Sequence, residues 1–228
     1  MRFLPLLPSG LEAAPWLGFK DAELQWDGTL GPGWAEAVRR GFGVHALHLR
    51  SAPWKDPLVE DAAAALSMRL GIDFLVLRAG APSTRWGTAR FFGVLEALLE
   101  VATPMGVKLV LRPEPGSVAG LHALLREAKA DGVGFCWDEN LAPELDLMSD
   151  RLRCAVGSAS ADPRPLQHWG YRWNMAVAGT DPVALEAALV SLRDKHPGVL
   201  FPAEMPTHAM GRPVVPDPEV TLGRQERS

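Results

Sequence analysis

Three arginines recur at equivalent places in the sequence, each directly after the last leucine of an apolar run. Arg50 lies in HLRSAP, Arg78 in VLRAGAP and Arg112 in VLRPEP. A guanidinium offers planar, bidentate N–H donors that suit a carboxylate or a phosphate. If the three side chains converge, they form a pocket for a small anionic or polyhydroxylated molecule.

Three carboxylates stand at similar places. Glu114 follows Arg112 by two residues, Asp138 ends the apolar run in CWDEN, and Glu204 ends the run in FPAEM. These groups either line a ligand pocket together with the arginines or neutralise the arginines in a buried ion-pair network. We expect Asp138 to line an open, solvated pocket.

Histidine and tryptophan border these positions. His48 lies two residues before Arg50 and therefore on the same face of its strand, either as a core histidine or as a ligand contact. Trp137 precedes Asp138 and offers a flat apolar ring beside charged groups, with core packing as the alternative. His45 is predicted to lie on the surface or on a helix. Five more tryptophans fall at or beyond predicted strand ends: Trp26, Trp54, Trp86, Trp169 and Trp173.

The residues above can meet only if the apolar runs that carry them belong to one sheet. Eight short runs, nearly continuous in Val, Leu and Phe, are typical of strands buried on both faces. Segments with the 3.6-residue periodicity of helices lie between most of them, and the Trp-rich stretch after residue 160 is predicted to be irregular. The predicted strands are 3–7, 22–26, 44–50, 72–80, 107–115, 133–140, 152–160 and 199–205.

This alternation predicts an α/β protein with a single, small (β/α)₈ (TIM) barrel in which some helices are short or missing. The rival fold, a doubly wound open sheet, would carry a Gly-rich phosphate loop after a strand, and the sequence has none. We assign the barrel to residues 1–205 and a Pro-rich C-terminal extension to 206–228. In such barrels the carboxyl ends of the strands carry the chemistry, and the arginines and carboxylates are predicted to lie there.

The composition excludes several classes of protein. Of 228 residues, 47% are hydrophobic and 22% are charged, which is a globular balance rather than that of a disordered chain. The net charge of −4 provides no basic field for nucleic acid or an anionic membrane, and two cysteines are too few for a disulfide framework. Because the sequence has neither an apolar run of ~20 residues nor a signal-peptide pattern, we expect a cytoplasmic protein without a membrane partner.

Three segments resemble strands five, six and eight of the xylose isomerase-like barrel superfamily, in its sugar phosphate isomerase/epimerase type. They are GVKLVLRPEPGS (106–117), VGFCWDEN (133–140) and PGVLFPAEM (197–205), in the family's order and spacing. The resemblance implies a divalent metal and two glutamates that move protons between adjacent carbons through an enediolate. It makes Glu114 and Glu204 the catalytic residues and, if a metal binds, makes Asp138, Glu204 and Glu114 its ligands.

Three positions depart from the family's pattern. Arg112 stands where the family has the strand-five Glu, the run CAVGSAS has no His, and Leu141 replaces the His that commonly follows the strand-six Asp. A guanidinium repels a metal cation and can replace its charge, so we expect no tightly bound metal and no other cofactor. The DNA-cleaving branch is disfavoured, since six scattered His and a net charge of −4 supply neither zinc ligands nor a basic face.

Two functions remain open. The first is an isomerase/epimerase-like enzyme of carbohydrate metabolism that acts by proton transfer on a small anionic or polyhydroxylated carbonyl compound. The second is a non-catalytic ligand-binding or structural barrel. Neither function involves nucleic acid, and both are compatible with a homo-oligomer. The predicted substrate-binding residues are His48, Arg50, Arg78, Arg112, Trp137 and Asp138.

Overall fold

Eight parallel strands form the sheet of this protein, which a computed structural model describes over residues 2–49, 54–168, 171 and 174–196. The strands are β1 (Arg2–Pro8), β2 (Asp21–Trp26), β3 (Gly43–Leu49), β4 (Phe74–Ala79), β5 (Lys108–Pro113), β6 (Gly134–Asp138), β7 (Leu152–Gly157) and β8 (Asn174–Ala178).

The strands pair in sequence order and close into a barrel through a parallel ladder between β8 and β1. The predicted (β/α)₈ barrel is therefore confirmed. Because every neighbouring pair is parallel, all eight carboxyl ends open on the same face, which is the end where such barrels hold their functional groups.

The closing strand is not the predicted one. β8 is the five-residue run NMAVA, which pairs with both β7 and β1 and so completes the ring. The prediction of 199–205 as the eighth strand is therefore wrong. Residues 199–205, including Glu204, and the predicted extension 206–228 lie outside the described residues. The NMAVA run escapes sequence reasoning because Ala and Asn are poor strand formers and only one of its residues is β-branched.

Helices of very different lengths surround the barrel, as predicted. Among the described residues they are α1 (Trp34–Arg39), α2 (Asp56–Ser67), α3 (Arg85–Ala102), α4 (Val118–Glu127), α5 (Leu145–Met148), α6 (Arg164–His168) and α7 (Pro182–Lys195). Short 3₁₀ helices span Ala14–Phe19, Thr103–Met105, Glu139–Glu144 and Ser149–Arg151. None of the helices in the described part of the chain is long and apolar enough to cross a lipid bilayer.

Strand side chains alternate between the inside of the barrel and the layer beneath the helices. The interior cluster consists of small and medium-sized residues: Leu6, Ala46, Val76, Val110, Cys136, Cys154, Val156 and Ala176. The larger core between strands and helices holds the bulky rings, among them Trp34, Phe91, Phe135 and Trp137. In each strand, the residue two positions after the interior residue also points inward, and it lies at the carboxyl mouth of the barrel.

Candidate functional site

At the carboxyl mouth, Arg112 at the end of β5 is paired with Asp138 at the end of β6. Nε and Nη2 of Arg112 donate to Oδ2 of Asp138 over 3.0 and 2.7 Å. The other carboxylate oxygen accepts the backbone N–H of Asn140 at 2.8 Å and caps the following 3₁₀ helix. Asp138 is only 5% exposed, so the expectation of an open, solvated carboxylate is wrong. Its two oxygens hold Arg112 and the turn after β6.

Arg78 is the direct neighbour of Arg112 across the β4–β5 ladder. Val76 and Val110, two residues earlier on the same strands, lie inside the barrel, so both arginines face the mouth. Arg78 is exposed, whereas Arg112 is half-buried beside its carboxylate. The rim therefore carries two adjacent guanidiniums, one fixed by an ion pair and one open to solvent. Arg50 lies outside the described residues.

Glu114 follows β5 and brings its carboxylate over the end of β4. Its backbone N–H donates to the carbonyl of Ala79 at 3.0 Å. A Cβ placed on Gly80 would lie 2.7 Å from Oε2 of Glu114, so a larger residue at position 80 would require the Glu114 side chain to move. Glu114 is exposed at the same rim as Arg78 and Arg112. Its partner Glu204 lies outside the described residues, and the pairing of the two glutamates stays a prediction.

A buried pair below the rim was not found from the sequence. Nε2 of His48 on β3 lies 2.7 Å from Oε2 of Glu23 on β2. His48 is 4% exposed, and its Nδ1 has no hydrogen-bond partner among the described residues. His48 is therefore a core histidine with a carboxylate partner. The alternation in AELQW was the available signal, since it places Glu23 on the same face of β2 as Asp21 and Gln25.

A second charged cluster lies at the amino end of the barrel, opposite the mouth. Nε2 of His45 is 3.4 Å from Oδ1 of Asp21, and its Nδ1 is 3.9 Å from Oδ2 of Asp73. These distances correspond to ion pairs rather than to well-formed hydrogen bonds. Arg2 also binds Asp21. His45 is buried and lies on β3, so its predicted position on the surface or on a helix is wrong.

The two aspartates change the ionisation of His45. Burial disfavours the charged imidazole, but Asp21 and Asp73 outweigh this effect and raise the pKa of His45 to about 9. Burial likewise opposes ionisation of Asp21, yet His45 and Arg2 outweigh it and lower the pKa of Asp21. The cluster therefore holds its charges across neutral pH, at the end of the barrel away from the candidate site.

The tryptophans divide between the core and the rim. Trp137 is buried in the layer under the helices, so its predicted place in the ligand pocket is wrong. Strand alternation explains this, because the inward positions of β6 are Cys136 and Asp138. Trp54, by contrast, stacks on Phe91 at 4.5 Å and donates from Nε1 to the carbonyl of Arg78 at 3.2 Å. It supports the strand end that carries Arg78.

The two cysteines are interior packing residues. Cys136 and Cys154 are register neighbours on β6 and β7 and are both buried. Burial raises the pKa of both thiols well above the ordinary range, which keeps them protonated. Neither thiol has the thiolate character that a nucleophile requires.

The rim does not fit a divalent metal. The Asp138 oxygens are already engaged by Arg112 and Asn140, and the Arg112 guanidinium occupies the space beside that carboxylate. The described residues contain no group of three His, Cys, Asp or Glu side chains that could surround an ion. Mg²⁺ or Mn²⁺ would require several free oxygen ligands, which the described residues of the rim do not supply.

Comparison with known proteins rests on structure alone, since no protein-family model and no curated protein matches the chain. A xylose isomerase domain protein from Planctomyces limnophilus is 13% identical with a TM-score of 0.67, covering 87% of this chain and 96% of that one. The D-allulose 3-epimerase of Methylomonas sp. is 15% identical with a TM-score of 0.60, covering 88% and 100%.

A third similar structure is an AP endonuclease, family 2, from Brucella melitensis. It is 13% identical with a TM-score of 0.61, and the match covers 81% of this chain and 96% of that one. The three proteins differ in the activity that their names state, and the shared property is the barrel. The chain has the fold of the xylose isomerase-like TIM barrels.

Proposed function

We propose that the protein binds a small anionic or polyhydroxylated carbonyl compound at the carboxyl mouth of its barrel and acts on it as an isomerase or epimerase by proton transfer. The observation that carries this proposal is the adjacent pair Arg78 and Arg112, in register on β4 and β5. Arg112 is fixed by Asp138 before any ligand arrives, so little ordering is needed when an anion binds.

The type of reaction comes from proteins with the same fold. The D-allulose 3-epimerase of Methylomonas sp. has been solved in complex with D-allulose. A xylose isomerase-like TIM barrel protein from Mycobacterium smegmatis has been solved in complex with magnesium. We carry over the class of sugar-like ligand but not the metal, because the rim of this chain does not fit a divalent ion.

The rim residues suit proton transfer next to a carbonyl group. A carboxylate removes the proton from the carbon beside the carbonyl, and the C–H electron pair forms an enediolate whose negative charge lies on the former carbonyl oxygen. Glu114 is the described carboxylate at this rim, and Arg78 and Arg112 are the donors that would stabilise the oxyanion. In an isomerase, Glu114 then returns the proton to the former carbonyl carbon. In an epimerase, a second proton donor must add a proton to the opposite face of the same carbon.

A second function, non-catalytic binding, has one observation in its favour. The Asp138 carboxylate is fully engaged by Arg112 and the backbone of Asn140, which is what a structural ion pair requires. A barrel of this kind would retain the anion site of Arg78 and Arg112 without moving protons.

Inorganic phosphate tests the binding site shared by both functions. At ten times its Kd, phosphate should add roughly 1.4 kcal/mol of stability, which raises Tm by about 3–6 °C in a domain of this size. Arg78→Ala should abolish the rise, whereas Arg90→Ala on the exposed face of α3 should keep it. A rise that persists in the Arg78→Ala variant would place the anion elsewhere and overturn the proposal.

Incorporation of deuterium from the solvent distinguishes the catalytic function from the non-catalytic one. Ketoses and sugar phosphates are incubated with the protein in D₂O, and proton NMR follows the C–H signal beside the carbonyl group. We expect deuterium to replace this proton in at least one compound. Glu114→Gln should stop the incorporation while leaving the phosphate-induced rise in Tm unchanged. Binding without incorporation across the panel would decide for the non-catalytic function.

A further inference from the structure

A groove of about 720 Å³ lies on the outer surface of the barrel, away from the carboxyl mouth. Its floor is the first half of β1, and its walls are α7 on one side and the 3₁₀ helix Ala14–Phe19 on the other. The apolar contributions include Phe3, Leu4, Phe19 and Leu189.

The groove exists because the outer ring of helices is thin at this place. In a (β/α)₈ barrel each strand is followed by a helix that covers the sheet. Between β1 and β2 the chain provides only the six-residue 3₁₀ helix, which is too short to fill the space beside α7.

Helix α7 has one buried apolar face and a mixed face along the groove. Leu185, Leu189 and Leu192 are buried against the barrel. Val183 and Val190 border the groove, are 76% and 43% exposed, and have Glu186 between them on the same side. Covering the two valines with an apolar segment would be favourable.

We propose that this groove binds the chain's own C-terminal segment, residues 197–228. The segment begins one residue after His196, where α7 has ended, and Arg193 in the last turn of α7 borders the groove. Pro197 and Gly198 are residues that end helices and permit reversal of the chain. The 32 residues that follow His196 are more than enough to run back along a 14-residue helix.

The spacing of apolar residues matches this return path. Val190 lies six residues before His196, or about 9 Å along the helix axis. An extended chain covers that distance in about three residues, so a chain that reverses at Gly198 brings Phe201 level with Val190. Val183 lies about 20 Å from the helix end, level with Glu204. Docking in the groove therefore keeps Glu204 away from the barrel mouth and is an alternative to its predicted pairing with Glu114. The apolar run VLFPAEM, 199–205, is therefore long enough to reach from the end of α7 to the level of Val183.

A pair of introduced cysteines tests the proposal on the full chain. Val190→Cys with Phe201→Cys should form an intramolecular disulfide under mild oxidation. The two native cysteines are buried and do not compete. The matched control is Ala184→Cys with Phe201→Cys, since Ala184 is exposed on α7, does not border the groove and closes a loop of similar length. We expect the Val190 pair to close at least about tenfold faster, because docking raises the local thiol concentration.

Equal closure rates in the two variants would overturn the proposal. So would disulfide-linked dimers that form from the Val190 pair in preference to closed monomers, because they would identify a second copy of the chain as the occupant. Mass spectrometry distinguishes these products.

Limited chymotrypsin digestion provides a second measure that needs no oxidation. Val190→Asp places a charge in the groove and should speed cleavage after Leu200, whereas Leu147→Asp, at a residue of α5 that is 49% exposed, should not. Cleavage after Leu200 at the wild-type rate in Val190→Asp would contradict docking of the segment. The phosphate-induced rise in Tm serves as a check that both variants keep the barrel mouth intact.

Discussion

At the scale of single residues, Arg112 supplies a positive charge at the barrel mouth and Asp138 holds it there. The pairing uses Nε and Nη2 of the guanidinium and leaves Nη1 outside the ion pair. Arg112 can therefore stay paired and still donate to a ligand, which a lone, mobile arginine would do only after losing rotamer freedom.

Asp138→Asn should destabilise the fold strongly. The change removes the charge that pairs with Arg112 but keeps an oxygen for the N–H of Asn140. Loss of one partner from a fully buried pair costs roughly 3–5 kcal/mol. We expect a value at the lower end, because the Arg112 side chain remains 27% exposed and water screens its charge. Urea denaturation measures the change in unfolding free energy.

Asp61→Asn is the matched control, since Asp61 is exposed on α2 and the same chemical change should cost within about 0.5 kcal/mol. If Asp138→Asn proves as mild as Asp61→Asn, the Arg112–Asp138 ion pair does not contribute to the fold as described here.

At the scale of the elements, an irregularity in β3 determines where its two histidines lie. Ala22 is opposite Val44 and Leu24 is opposite Leu47, so the single residue Glu23 faces two residues of β3. This is a β-bulge, in which one strand carries an extra residue. It lets His45 meet Asp21 at the amino end and His48 meet Glu23 further along, although three positions separate the two histidines.

Because the pKa of His45 is raised in the folded protein, the stability of the fold depends on pH. In the unfolded chain His45 titrates near 6.5, and in the folded protein it titrates at about 9. The folded state therefore binds more protons between these values, and stability falls as pH rises through this window. The contribution is fully present below pH 6.5, and the shift corresponds to about 3 kcal/mol.

His45→Gln should remove this pH dependence. We expect the wild-type unfolding free energy to fall by about 3 kcal/mol between pH 6.5 and 9.5, and the variant to be less stable at pH 6.5 but nearly flat over the same range. His122→Gln is the control, because His122 contacts Asp150 on the surface, where water screens the pair. A wild-type curve as flat as that of His45→Gln would show that the Asp21–His45–Asp73 cluster does not hold the extra proton.

At the scale of the whole molecule, the short strand β8 closes the barrel, so the sheet depends on it as much as on its longer neighbours. A closed barrel has no edge strand, so each of the eight strands has a hydrogen-bonded neighbour on both sides. The interior is filled by small residues such as Ala46, Ala176 and Cys136, which leaves space for the buried Glu23–His48 pair.

Hydrogen exchange tests this closure. The backbone amides of Ala176 and Val177 in β8 should exchange as slowly as those of Val76 and Leu77 in β4, within about tenfold, because all open with the same barrel. The exposed turn at Gly28 supplies the fast reference. Exchange in β8 at the rate of Gly28 would contradict its place as the closing strand.

The amino-acid sequence by itself determined the barrel class, seven of the eight strands and the helical segments between most of them. These features depend on local patterns, namely continuous apolar runs and 3.6-residue periodicity, which a short window of sequence contains. A short window of sequence also predicts that Arg78 and Arg112 lie at strand ends, because each arginine follows the last leucine of its own apolar run.

Only the tertiary structure decided which side chains meet. The partner of Arg112 is 26 residues away in the sequence, the partner of His48 is 25 residues away, and neither spacing has a meaning before the strands are paired. The bulge in β3 and the choice of NMAVA as the closing strand likewise depend on long-range register and on ring closure. A one-residue change of register moves a side chain from the interior to the outer layer, and local sequence patterns do not contain that information.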